Sequence, residues 1–137
     1  MMTEMNTPLL LSQKVVRFCL FLIMAISLFG GAVQMYLGEP ETTARLDNVH
    51  RFMAGVYFSC GVIAGWAAVE IRKQNVLVFL LALGAFAGGT GRLVSMSIVG
   101  LPEPHALWLG YLIPELSLPI IMVIAQLTTN KKLRSNY

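Results

Sequence analysis

The stretch GAFAGGTGRLVS, residues 84–95, sets four glycines and one arginine inside an otherwise apolar run. The run extends over residues 76–99, interrupted only by Arg92 and small polar residues. A hydrocarbon core about 30 Å thick is crossed by about 20 helical residues at 1.5 Å each. This segment therefore reads as a membrane span. Three others qualify, at about residues 15–37, 49–69 and 106–128.

Composition agrees. The chain has 137 residues, 56% of them hydrophobic and 12% charged. Soluble domains carry about 25% charged residues. So few charges cannot cover the outside of a soluble core, whereas lipid can act as its solvent. We expect an all-α, integral-membrane, four-helix up-down-up-down bundle, with residues 1–137 as a single transmembrane domain. Lys14 and Arg17 before an apolar run look like a secretory signal, but the run exceeds a signal core of about 7–15 residues. The first span is expected to be an uncleaved helix.

Charge distribution orients the chain. Lys14, Arg17, Arg72, Lys73, Lys131, Lys132 and Arg134 fall on one side of the four spans, and only Arg45 and Arg51 flank the other. Basic residues favour the cytoplasmic side, which places both termini there. The net charge of +3 is distributed as membrane flanks, with no aromatic-basic face, so nucleic acid is not an expected partner. Between spans one and two, GEPETTARLDNVH (residues 38–50) is expected to hold a short interfacial helix capped by Thr42 or Thr43.

Arg92 needs a partner, because a charge facing lipid costs at least a few kcal/mol. It lies eight residues before Gly100, about 12 Å deep at helical rise. Glu115 lies nine residues after Ala106, about 13 Å deep. Antiparallel packing about the turn at residues 100–105 brings the two together. Gly84, Gly88 and Ser95 share one helical face, and Gly84–Gly88 and Gly61–Gly65 are G-x-x-x-G pairs that let membrane helices approach closely. A phosphate loop is rejected for GGTG, which lacks a preceding strand and a following Lys-Ser or Lys-Thr. Pro114 and Pro119 free the carbonyls of Gly110 and Glu115, so span four is expected to bend near the carboxylate. Interrupted helices beside an intramembrane charge mark binding sites in some transporters. A buried ion pair that only holds helices together is the competing reading.

Further polar residues lie near the same level. Arg51 either pairs with Asp47 four residues earlier or turns inward toward Glu115. Gln34, Arg51, Tyr57, Arg92, Ser95, Tyr111 and Glu115 form a candidate outward-opening pocket, although interface anchoring explains Arg51 and Tyr111 equally well. His50 and His105 lack metal-ligand spacing, and Cys19 and Cys60 read as buried small hydrophobes. No metal and no cofactor are expected.

The segments RFMAGVYFSCG, GGTGRLVSMSIVGLPEP and PELSLP together resemble a bacterial family of small four-helix membrane proteins known as domain of unknown function 4345. The resemblance covers about residues 15–128. It rests on Arg51 and Gly55, on Arg92 with Ser95, on the Gly100-x-Pro turn, and on Glu115. It implies a bacterial inner-membrane protein and no particular activity. Four functions stay open: a binder of a small amphiphile, lipid head group or anion at Arg92–Glu115; an oligomeric transporter or channel subunit; a structural subunit of a membrane complex; and a membrane enzyme. The enzyme reading, with Glu115 as general acid or base, is the one the neighbouring Arg92 supports least. The expected partners are the bilayer, a small amphiphilic ligand or lipid, and a second copy of the chain.

Overall fold

A computed structural model describes residues 7–135. Four helices follow one another: α1 (Leu11–Leu37), α2 (Ala44–Val69), α3 (Val76–Val99) and α4 (His105–Arg134), with a short 3₁₀ turn at Ile71–Lys73. All four are long and apolar enough to cross a membrane, and the described residues contain no strand. The chain is thus a multi-pass membrane protein by helix length and composition. Helices α1, α2 and α4 run past the apolar cores expected from sequence, because polar turns at their ends continue the helical backbone.

The described residues form two compact units. The first comprises residues 17–71, with most of α1 and all of α2. Here small residues set the helix approach. A Cβ built on Gly31 lies 2.9 Å from the carbonyl oxygen of Ala54 and the backbone nitrogen of Phe58. One on Gly61 lies 3.0 Å from Ser27, and one on Gly65 lies 2.5 Å from the sulfur of Met24. Falling positions on α1 meet rising positions on α2, so the two helices are antiparallel. Gly61 and Gly65 thus lie where α1 comes close to α2. Ala64, Ala67 and Ala68 extend the small buried face of α2.

The connection between α1 and α2 is tied down by polar groups. Gly38 takes φ +61°, a backbone region that glycine enters without steric penalty. Arg51 donates to the carbonyls of Met35 (2.6 Å), Tyr36 (3.1 Å) and Leu37 (3.3 Å), which satisfies orphan acceptors at the end of α1. Its Nε pairs with Asp47 at 2.9 Å, and the other Asp47 oxygen accepts from Glu39 N at 2.6 Å. Thr43 Oγ1 accepts from Leu46 N at 3.3 Å. Thr43 therefore caps α2 itself, and the separate interfacial helix expected from sequence is instead the first turn of α2.

The second unit takes residues 7–16 and 72–135 of the described chain. Its frame is the α3–α4 hairpin, turned by Gly100 at φ +86° and a cis Glu103–Pro104 bond. The glycine against which α4 packs is Gly89: a Cβ there lies 2.8 Å from Leu116 Cδ2 and 3.2 Å from Glu115 Cβ. Gly84 and Gly88 were expected at such a contact, yet a Cβ on either meets nothing within 4 Å. One residue turns the helix by about 100°, which separates Gly88 from Gly89.

Away from the turn, hydrogen bonds close the unit. Asn75 Oδ1 accepts from Gln126 (3.2 Å) and Asn130 (2.9 Å), and Thr129 donates to Ser12 Oγ at 2.7 Å. Helix α4 continues through Pro114 and Pro119 as one helix. Hydroxyls of Ser59, Thr90, Ser97, Ser117 and Thr128 each donate to a carbonyl three or four residues earlier in their own helix, at 2.7–2.9 Å.

Candidate functional site

Two elements build the site. On α3, Arg92 lies three residues after Gly89, and the missing side chain at Gly89 leaves room for Leu116 and the Cβ of Glu115. On α4, residues 108, 111 and 115 recur at intervals of three and four and so share one face. The hairpin register matches Arg92 to that face. Arg92 Nε donates to Glu115 Oε2 at 2.7 Å. The Arg92 side chain is 26% exposed and that of Glu115 11%. In such a low-dielectric setting the attraction between the two charges is much stronger than in water.

Two aromatic rings complete the surroundings of the guanidinium. Its central carbon lies 5.3 Å from the Tyr111 ring centroid and 5.6 Å from that of Trp108. These are cation–π distances. The two rings stand 6.5 Å apart, tilted by 50°. The Trp108 indole N–H donates to the Glu103 carbonyl at 3.3 Å, which ties its ring to the turn. Only Nε of Arg92 is taken by a hydrogen bond among the described residues. The two terminal nitrogens keep their donors, and Oε1 of Glu115 keeps its lone pairs.

Chemically, the group offers a guanidinium held in place on one edge and open on the other. Such an edge suits carboxylate or phosphate oxygens. Glu115 fixes its orientation and balances its charge. Among the described residues no three His, Cys, Asp or Glu side chains stand together as a metal site.

Of the residues expected in one pocket, Arg92, Tyr111 and Glu115 come together. Ser95 lies on the same helix as Arg92 and is exposed. Gln34, Arg51 and Tyr57 belong to the unit of residues 17–71, where Arg51 is occupied by Asp47 and the α1 carbonyls. The sequence alone does not single out Trp108. Its signal was its position, three residues before Tyr111 and seven before Glu115 on one helical face.

A family model described as "Domain of unknown function (DUF4345)" matches residues 11–126. No curated protein and no solved structure matches the chain.

Proposed function

The chain belongs to the DUF4345 family, a domain of unknown function, and from that premise we propose that it binds a small amphiphile through an anionic or zwitterionic head group at Arg92. The observation that carries this reading is the half-used guanidinium. Nε is held by Glu115, the rings of Trp108 and Tyr111 flank it, and the terminal N–H groups are left without a protein acceptor among the described residues. A pair with a purely structural task more often closes as a two-point fork, both guanidinium nitrogens on both carboxylate oxygens. The Lys and Arg distribution supports both termini in the cytoplasm, and the family resemblance supports a bacterial inner membrane.

A second reading, an oligomeric assembly, is favoured by the glycine face of α3, where a Cβ built on Gly84, Gly88 or Gly91 meets nothing within 4 Å among the described residues. Small residues on a membrane helix suit close contact with another helix.

Native mass spectrometry tests both. Wild-type protein and the Arg92→Met/Glu115→Met variant are purified from membranes in the same mild detergent. The wild type is expected to carry a copurifying amphiphile that the equally folded double variant lacks. Identical small-molecule content in the two preparations would overturn the binding reading, and a strictly monomeric mass would overturn the oligomer.

A further inference from the structure

The α3–α4 hairpin carries a second feature on another flank. An open cleft of about 330 Å³ lies between Phe79, Leu83 and Phe86 of α3 and Pro119, Ile120 and Ile124 of α4. Its lining is apolar. Arg92 lies six residues beyond Phe86, which turns it by roughly 120° around α3. The cleft is thus separate from the Arg92 site.

The stripe that forms the α4 side of the cleft has a continuation. Ile120, Ile124, Leu127, Lys131 and Arg134 succeed one another in steps of four, three, four and three, the spacing of a single helical face. Apolar positions thus give way to two cations along one line. Lys131 lies seven residues beyond Ile124, about 10 Å at helical rise. Both cations are exposed, and no carboxylate among the described residues pairs with either. The bond from Asn130 to Asn75 at 2.9 Å holds the start of α3 beside this end of α4, so both walls of the cleft lead to the same place.

A greasy slot that ends about two turns below the first of two unpaired cations has the layout of a phospholipid: chain, glycerol, phosphate. We propose that this flank binds an anionic phospholipid, with its phosphate on Lys131 and Arg134 and one acyl chain in the cleft. Charge decides between lipids. A zwitterionic head group brings its own cation toward Lys131 and Arg134, whereas an anionic one does not, and each basic residue near the surface adds attraction for anionic lipid. The slot is also short. Phe79 to Phe86 spans about 10 Å, less than two helical turns, which fits one chain better than a partner helix.

The test uses the full chain in a mild nonionic detergent, with phosphatidylglycerol or phosphatidylcholine carrying the same two oleoyl chains, read by native mass spectrometry. Wild type is expected to bind phosphatidylglycerol roughly thirtyfold more tightly than phosphatidylcholine, from two surface cations. Lys131→Gln/Arg134→Gln should erase that preference. Val123→Phe, which fills the cleft, should weaken both lipids while the preference survives. Equal affinity of wild type for the two lipids, a preference that persists in the glutamine variant, or unchanged binding in Val123→Phe would each overturn the proposal. Arg92→Met/Glu115→Met should leave the preference intact; its loss there would place the site elsewhere and also count against the proposal. A failure at Arg92 and a failure at this flank are therefore told apart.

Discussion

Arg92 Nε donates to Glu115 Oε2 at 2.7 Å, joining two charges 23 residues apart on neighbouring helices with little access to the outside. Removing one member leaves the other buried and uncompensated, which costs about 3–5 kcal/mol. Replacing both by apolar residues of similar size is often nearly neutral. We expect Arg92→Met to lower unfolding free energy in detergent by about 3 kcal/mol and Arg92→Met/Glu115→Met to recover most of it. A double-mutant cycle by denaturant titration measures this coupling. Strictly additive losses would show that the two charges do not depend on one another.

The glycines separate into two kinds. At Gly31 an added Cβ meets backbone atoms of α2 at 2.9 Å, and backbone cannot swing aside as a side-chain tip can. Gly31→Ala is expected to destabilise by about 1–3 kcal/mol, the cost of overpacking. At Gly88 there is open space, and alanine is the better helix former by about 1 kcal/mol. Gly88→Ala should therefore raise the thermal midpoint of the detergent-solubilised chain while Gly31→Ala lowers it. If the oligomer reading holds, Gly88→Ala should also reduce the oligomer's share in native mass spectra.

Arg51 reaches three carbonyls of α1 and one carboxylate oxygen with a planar fork. Lysine keeps the charge but presents a single ammonium, so it cannot fill these positions together. Arg51→Lys should loosen the connection between α1 and α2 without disturbing the α3–α4 hairpin. Hydrogen–deuterium exchange reads this directly: the amide of Glu39, which donates to Asp47, should exchange at least tenfold faster in the variant. Unchanged protection at Glu39 would mean that Asp47 holds the turn without Arg51.

Much of this was legible in the sequence, and for identifiable reasons. Four apolar runs of about 20 residues announce four helices because a helix satisfies every backbone group within its own segment in hydrocarbon. The Arg92–Glu115 pair was legible because intramembrane charges need partners and a short turn fixes their register. The choice among neighbouring glycines was not. Gly84 and Gly88 satisfy a spacing rule, whereas Gly89 is selected by which side of α3 faces α4, and that depends on the turn at Gly100–Pro104. Trp108 carries no such signal, because an aromatic residue near a span's end reads as an interface anchor. For Arg51 the sequence allows two alternatives, and its bonds to Met35, Tyr36 and Leu37 depend on how α1 ends, at Gly38.

The hydroxyls of Thr90, Ser97, Ser117 and Thr128 bear on how such a chain reaches the membrane at all. Each one folds back onto a carbonyl of its own helix, so it needs no second helix to be satisfied. During biosynthesis a nascent span therefore carries these side chains into lipid already paired, before any tertiary contact exists. The polar cost of insertion then falls mainly on Arg92 in α3 and Glu115 in α4. Arg92 cannot be relieved until Glu115, 23 residues later, emerges from the ribosome, which makes delivery of these two spans as a pair the favourable order of events.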